Sequence, residues 1–273
     1  MNISINRRVY QSHPYHLVDP SPWPISTSFA LLVVTIPAVM YMHGFQNGGQ
    51  LLNLGIILLS TGICLWLRDI IVEGTYLGHH TEQVKKGLTI GFTLFIISEL
   101  MAFFSVFWAY FHSSLSPTVE IGGSWPPLGL EILDPFAIPL LNTILLLSSG
   151  AFITYAHHAI IKGNRRSSIL GLFLTLVFAT IFTALQYYEY LEAGFTIADS
   201  VYGTVFFAST GLHGFHVIIG TLFIGVQFIR ILNHHITTTH HIGLESSIAY
   251  WHFVDVVWLF LYAFVYLWSA PNL

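Results

Sequence analysis

Charge is scarce in this chain: 8% of its 273 residues are Asp, Glu, Lys or Arg, whereas 54% are hydrophobic and 15% are aromatic. A chain of this length that folded in water would need an improbably large core to bury so much apolar surface, and more charge outside it. The shortage of charge therefore excludes an ordinary water-soluble globular fold and indicates a membrane protein.

Cysteine is nearly absent as well, since Cys64 is the only one. One cysteine cannot form an internal disulfide, a four-cysteine metal site or a two-cysteine copper site. The formal net charge of -4 and the absence of a basic run argue against nucleic acid as a partner.

Seven long apolar segments are the dominant feature of the sequence. Each block reaches or approaches the roughly 20 residues that a helix needs to cross about 30 Å of hydrocarbon. We therefore predict an all-α polytopic membrane protein with seven transmembrane helices. The predicted spans are residues 25–41, 51–71, 88–111, 136–156, 168–191, 201–231 and 246–268.

The basic residues all fall on one side of these spans, the side on which the chain begins. Connections on the other side carry Glu120, Glu131 and Asp134 but neither Lys nor Arg. An excess of Lys and Arg marks the inner side of a membrane, so we predict an inner N-terminus and, after an odd number of spans, an outer C-terminus. The nine cations are Arg7, Arg8, Arg68, Lys85, Lys86, Lys162, Arg165, Arg166 and Arg230.

A polar segment, "EGTYLGHHTEQVKKG", separates the first two spans from the other five. We treat residues 1–273 as a single membrane domain with an internal division. Residues 1–73 hold the N-terminal segment and helices 1–2, residues 74–86 connect, and residues 87–273 hold helices 3–7.

The fifteen histidines invite a haem or metal hypothesis. Eight of them form adjacent pairs near the inner face, which we interpret as surface or head-group contacts because neighbours on a helix point about 100° apart. His213 and His216 share a face of the sixth span at i, i+3, and with His252 a three-histidine site is conceivable. Close helix packing with interhelical hydrogen bonds is the favoured alternative, and we predict no metal site.

Two carboxylates, Glu99 and Asp255, lie well inside the predicted spans and away from their ends. Glu99, in "FIISELMAFF", lies about 16 to 18 Å from either end of its span, close to the midplane. A bare charge there is expensive, so we expect Glu99 to be neutral, paired or hydrogen-bonded. Asp255 can pair with His252 at i-3 or with a partner on another helix, and we expect a structural hydrogen bond in preference to a proton relay.

These residues leave three function classes open: a proton or ion pathway that uses Glu99, a redox protein with histidine-bound haem, and a cofactor-free subunit that binds partners or lipids. A proton pathway needs a chain of polar groups, and Ser98, Glu99 and Ser105 form a thin one.

Seven segments are distinctive in composition and order: "PYHLVDPSPWP", "RDIIVEGTYLGHHT", "LFIISELMAFFSVFWAYFHSSLSPT", "WPPLG", "PLLNTILLLSSG", "GLHGFHVIIGT" and "YWHFVDVVWLFLY". In this order they resemble the family of cytochrome c oxidase subunit 3, and the resemblance covers nearly the whole chain. It implies two helices splayed from a five-helix bundle around a lipid-filled cleft.

The resemblance also implies a function and partners. The chain is expected to hold no catalytic residue or redox centre, with haem and copper in partner subunits, and to support electron transfer from cytochrome c to oxygen and proton pumping. Expected partners are oxidase subunits 1 and 2, accessory subunits, anionic phospholipids and a supercomplex with the cytochrome bc1 complex. The expected location is the mitochondrial inner membrane, with the N-terminus in the matrix and the C-terminus in the intermembrane space.

By the same resemblance, Glu99 is the buried glutamate that faces the lipid cleft, and a second group of residues lies around lipid head groups. Many animal members have arginine where this chain has Val72, so one head-group contact of those members has no counterpart here. A subunit that itself conducts protons through Glu99 is the alternative. The head-group residues are Trp66, Arg68, Glu73, His80 and Arg230.

The charge pattern generates a topology prediction. Tags placed after Asn164 and after Gly123 should report opposite sides of the membrane, because the basic residues separate these two connections. Protease accessibility of the tags in intact vesicles measures this, and both tags on one side would exclude the seven-span arrangement.

Overall fold

The computed structural model describes residues 13–270, and all the regular secondary structure within this range is helical. Seven helices are long and apolar enough to cross a membrane, as predicted. They are α1 (Trp23–Met42), α2 (Gly48–Thr75), α3 (Glu82–Leu115), α4 (Ile138–Ile161), α5 (Arg165–Glu192), α6 (Val201–Leu232) and α7 (Ile242–Phe260), which a π-helical turn (Leu261–Leu267) continues.

Most helices extend a few residues beyond the predicted apolar spans. Apolar residues mark the part of a helix that lies in hydrocarbon, whereas the backbone hydrogen bonds continue into the polar head-group region. Pro139 was expected inside the fourth span, but it lies in the first turn of α4, where its missing N–H leaves no hydrogen bond unmade. Pro37 does lie inside α1.

The chain forms two compact units, Met1–Leu88 and Thr89–Leu273. In the first unit, α1 packs against α2. In the second unit, α4 packs against α5, α6 contacts both α5 and α7, and α7 contacts α4. The large buried side chains of this second core include Trp251, Trp258 and Phe206.

Three buried glycines, Gly48, Gly55 and Gly62, bring α2 against α1. Their seven-residue spacing places them on one face of the helix. A side chain on Gly62 would meet the Thr27 methyl group at 2.9 Å, and one on Gly55 would overlap the backbone of Val33. Small residues at such positions allow two membrane helices to approach by backbone contact, which is why this pair is tight.

Tryptophan side chains of α7 fix that helix against α4. Trp251 Nε1 donates to Ser149 Oγ at 2.8 Å, and Trp258 Nε1 donates to Thr143 Oγ1 at 2.9 Å. All four residues are buried. Each indole N–H and each hydroxyl would otherwise be an unsatisfied group in an apolar interior, so these bonds set the register of the two helices.

Aromatic side chains connect α3 to the rest of the second unit. Tyr110 Oη donates to the Phe264 carbonyl at 2.6 Å and lies 2.8 Å from Ser269 Oγ. Phe103 packs edge-on against Phe253 at 5.8 Å between ring centroids. These contacts place α3 beside α6 and α7, which positions Glu99.

Charged side chains lie at the ends of the helices and in the connections between them. Arg165, at the start of α5, donates from Nε and Nη2 to the carbonyls of Ile231 and Leu232 at the end of α6, where the helix dipole favours a cation. Between α3 and α4, the pKa of Glu120 is lowered because its own backbone N–H and the Thr118 side chain donate to the carboxylate. That connection therefore stays negatively charged at neutral pH.

The glycine face generates a stability prediction. Gly55→Ala should push α1 away from α2 and lower the stability of the first unit by about 1 to 3 kcal/mol, the usual range for overpacking. Loss of helical ellipticity during SDS titration of the chain in micelles measures it. Gly91→Ala is the matched control because a Cβ there meets no atom within 4 Å; equal effects of both variants would contradict the explanation.

Candidate functional site

Glu99 is paired across a helix interface. Its Oε2 lies 2.8 Å from Nε2 of His216 on α6, and the Glu99 side chain keeps 26% of its surface exposed while that of His216 keeps 6%. The expectation that the midspan carboxyl is paired or hydrogen-bonded is therefore confirmed. The partner is a histidine 117 positions away in sequence, which no local pattern could have supplied.

The other ring nitrogen of His216 fixes how many protons the pair holds. Nδ1 lies 2.8 Å from the carbonyl oxygen of Leu212, which can only accept, so Nδ1 carries a hydrogen. A hydrogen bond between Nε2 and Glu99 then requires one further proton, on the carboxyl or on the ring. The pair consequently exists as acid and neutral imidazole or as carboxylate and imidazolium, and both forms carry no net charge.

Aromatic rings surround this pair. The centre of the Phe103 ring lies 4.9 Å from that of the His216 ring, and the Tyr250 ring stacks with His216 at 6.1 Å between centres. Rings of this kind exclude water, and a hydrogen bond in a medium of low dielectric is stronger than one in water. The pair is thus a polar contact that ties α3 to α6 within an aromatic setting.

His213 has different partners from those of His216. The two residues are about 60° apart around α6 at i, i+3, and this angle directs His213 into the bundle. Its Nε2 lies 3.3 Å from the Val254 carbonyl, and its ring lies 5.1 Å from that of Trp258. The conceivable site of His213, His216 and His252 is therefore not assembled.

Asp255 is paired with His252, as the sequence predicted. Oδ2 lies 3.4 Å from His252 Nδ1, and His252 Nε2 lies 3.0 Å from Thr154 Oγ1. Gly150 makes room for the carboxylate, since a Cβ there would lie 2.5 Å from Oδ2. These contacts join α4 to α7 and have the form of a structural hydrogen-bond chain.

A third carboxylate lies inside the bundle, which corrects the assignment of only two. Glu189 falls two residues before the outer end of the predicted fifth span, but it is 1% exposed within α5. Its Oε1 accepts from Tyr266 Oη at 2.6 Å and from Gln186 Nε2 at 3.2 Å, while Gln186 Oε1 accepts from Asn142 at 3.3 Å. Gln186 and Glu189 at i, i+3 were the available sequence signal.

Four of the six predicted lipid-binding residues belong to the first unit. Trp66 is 39% exposed, and Arg68 donates from Nε and Nη2 to Oδ1 of Asp69. Glu73 lies 3.9 Å from His16 Nδ1, and the ring of His80 packs against Gly74. These residues lie on the last three turns of α2 and just beyond it.

Glu99 and Arg230 belong to the second unit. Arg230 is half-buried near the end of α6 and donates from Nη1 to Gln227 Oε1 at 3.1 Å. It lies fourteen residues beyond His216, the partner of Glu99, which is about 21 Å along the helix at 1.5 Å per residue. The structure therefore does not bring Glu99 and Arg230 to one point.

A crevice of about 230 Å³ lies between α3 and α6 on the N-terminal side of His216. It is almost entirely apolar and is lined by small side chains. An apolar gap between membrane helices is filled by hydrocarbon because an empty one forfeits dispersion contacts. Its lining residues are Ser105, Val106, Ala109, Thr204, Val205 and Ala208.

The fold and these contacts define an all-helical, seven-span membrane protein in which Glu99, Glu189 and Asp255 each have a polar partner within the chain. The family model described as "Cytochrome c oxidase subunit III" matches residues 13–270. A protein of Mycosarcoma maydis named "Cytochrome c oxidase subunit 3" is 59% identical over 99% of this chain and 100% of its own length. One of the same name from Arabidopsis thaliana is 56% identical over 95% of this chain and 98% of its own length. The chain belongs to the cytochrome c oxidase subunit III family.

The buried carboxylate of α5 generates a prediction. Glu189→Ala leaves the Tyr266 hydroxyl and Gln186 amide without their acceptor and should cost about 1 to 3 kcal/mol of stability. Glu189→Gln, which keeps an acceptor oxygen, should cost less. The SDS titration midpoint measures both, with exposed Glu192→Ala as control. A loss in Glu192→Ala as large as that in Glu189→Ala would contradict the network's role.

Proposed function

We propose that this chain is an oxidase subunit without a redox centre of its own, which stabilises the catalytic subunit and binds phospholipid. The observation that carries the proposal is the Glu99–His216 pair, a midspan carboxyl that is satisfied within the chain and still one quarter exposed. A carboxyl that is paired in this way joins two helices, and the exposed part of its side chain can contact a lipid or another subunit.

Exposed apolar surface supports the lipid and partner contacts. On α1, α2 and α3 few residues are buried within the chain, and side chains such as Phe29, Ile57 and Phe104 are more than half exposed. Such faces need hydrocarbon or another protein against them. The apolar crevice between α3 and α6 fits one acyl chain segment.

Head-group binding is proposed for Trp66, Arg68, Glu73, His80 and Arg230. Cations at the ends of membrane helices suit anionic phosphate, and an exposed tryptophan suits the interface. Arg68 already donates two hydrogen bonds to Asp69, so this carboxylate competes with a phosphate for part of the guanidinium fork. Glu99 would contact acyl chains through the exposed part of its side chain.

The absence of a redox centre is supported by the partners of the histidines. Ring nitrogens of His213, His216 and His252 accept or donate within the chain, to Val254, Glu99 and Thr154. Haem and copper are accordingly assigned to partner subunits, and catalysis to them alone.

Partners and location follow from family membership. Oxidase subunits 1 and 2, accessory subunits and a supercomplex with the cytochrome bc1 complex are the proposed protein partners. Fungal and plant relatives and seven apolar helices support the mitochondrial inner membrane. We place the N-terminus in the matrix and the C-terminus in the intermembrane space, because the basic connections mark the inner side.

Proton conduction through Glu99 is the second candidate. The single proton that Glu99 and His216 share is the observation that favours it, since such a pair can change which member holds the proton. Conduction further requires polar groups on both sides of the pair, whereas Phe103 and Tyr250 flank it.

Substitution of Glu99 separates the two candidates. In Glu99→Gln the amide can still donate to His216 Nε2 but cannot release a proton, so initial turnover and protons pumped per electron should equal those of the parent. Glu99→Ala leaves His216 Nε2 unpaired, which costs about 1 to 3 kcal/mol, and should loosen lipid retention and shorten the working life. Proton release and activity decay in reconstituted vesicles measure this.

Glu120→Gln is the matched control, because it makes the same change in the connection between α3 and α4, outside the seven spanning helices. Immediate loss of pumping in Glu99→Gln, with assembly and bound lipid unchanged, would favour the proton pathway and exclude the structural role.

A further inference from the structure

Two helices of the second unit bring three metal-binding side chains together, away from Glu99. His157 lies near the end of α4, His241 directly precedes α7, and Glu245 lies in its first turn. One ligand atom from each lies within 4.8 Å of the others. From these contacts we propose that His157, His241 and Glu245 bind a divalent transition-metal ion, with Zn²⁺ as the best match.

Two of the three ligands lie at the start of α7. His241 and Glu245 are four residues apart, and His241 Nε2 lies 3.1 Å from Glu245 Oε1. Donor atoms around a tetrahedral zinc at 2.0–2.2 Å are separated by about 3.3 Å. These two ligands are therefore already at the separation that a bound zinc needs.

A backbone contact sets the tautomer of His241. Its Nδ1 lies 3.0 Å from the Thr237 carbonyl oxygen, which can only accept, so Nδ1 carries the hydrogen. In the neutral ring, Nε2 then presents a lone pair toward the carboxylate, which is repulsive unless a proton or a cation lies between them. A carbonyl that accepts from the far nitrogen of a histidine is the usual support of a metal ligand.

His157 supplies the third ligand from another helix. Its ring centre lies 5.7 Å from that of His241 at an angle of 66°. Nε2 of His157 is buried and has no hydrogen-bond partner within the described part of the chain, so its lone pair or N–H is unsatisfied. The three ligand atoms lie within 4.8 Å of one another, so reaching the zinc donor spacing requires a shift of at most about 1.5 Å. A bound metal ion would give this buried imidazole a partner.

An ordinary helix-end ion pair is the competing explanation. Glu245 in the first turn of α7 is favoured by the helix dipole, and a protonated His241 could pair with it. That explanation accounts for two of the residues but leaves the buried nitrogen of His157 without a role. A bound metal ion would give each of the three residues a role as a ligand.

The ligand set selects the class of ion. Two imidazoles and one carboxylate suit first-row divalent ions and zinc in particular, whereas calcium and magnesium prefer oxygen ligands alone. Glu245 is 47% exposed, so the ion can enter from water and one coordination position stays open. The bound ion would join the end of α4 to the start of α7.

The test is Zn²⁺ binding to the complete purified oxidase after EDTA treatment, measured by calorimetric titration and by tightly bound zinc per complex. The parent should hold one zinc more than Glu245→Gln or His157→Gln. Because loss of an outer-shell partner already lowers metal affinity about 10- to 100-fold, loss of a ligand should lower it by at least about 100-fold.

Two further variants separate a built site from adventitious binding. His158→Gln removes an exposed histidine next to His157 and should leave the affinity unchanged. Glu245→His replaces one zinc ligand by another and should retain binding. Zinc-edge X-ray absorption of the parent should show two imidazoles that Glu245→Gln retains and His157→Gln reduces to one.

Equal zinc content and affinity in the parent, Glu245→Gln and His157→Gln would overturn the proposal. A loss in His158→Gln as large as in His157→Gln would overturn it as well, since binding would then depend on surface histidines in general. The haem spectrum of each purified variant verifies that the complex has assembled.

Discussion

The rest of the structure depends on one constraint: a polar group in hydrocarbon must find its partner within the protein. Glu99 shows how strongly this acts, because its partner His216 lies on another helix and the two share one proton in a pair without net charge. Glu189 obeys the same constraint with Tyr266, and Trp258 with Thr143. Each such bond also fixes the register of two helices, so polar satisfaction and helix arrangement have one cause.

Much of the fold could be predicted from the sequence because apolar length and charge position are local properties. The seven helices follow from blocks such as residues 201–231, and α6 begins and ends within one residue of that prediction. The seven-residue spacing of the glycines in α2 is present in the sequence, but the sequence does not show that α1 packs against them. Local patterns say which face is small, but they do not say which helix covers it.

The candidate site was only partly predictable, for the same reason. Midspan depth singled out Glu99, whereas His216 became its partner only when α3 and α6 met. Glu189 was missed because its position near a span end resembles an interface, and only burial reveals it. The histidine pairs were interpreted as surface groups, yet α4 and α7 bring His157 to His241, a contact that no spacing in sequence encodes.

We expect Glu99 to hold α3 to α6 through a proton that stays within the pair during turnover. Infrared difference spectra between the oxidised and reduced enzyme test this directly, with the Glu99 carboxyl band assigned from Glu99→Gln. Parent and variant should then give the same redox difference spectrum in the carboxyl region. A band in the parent that disappears in Glu99→Gln would show that the pair exchanges its proton during turnover, which would contradict a purely structural carboxyl.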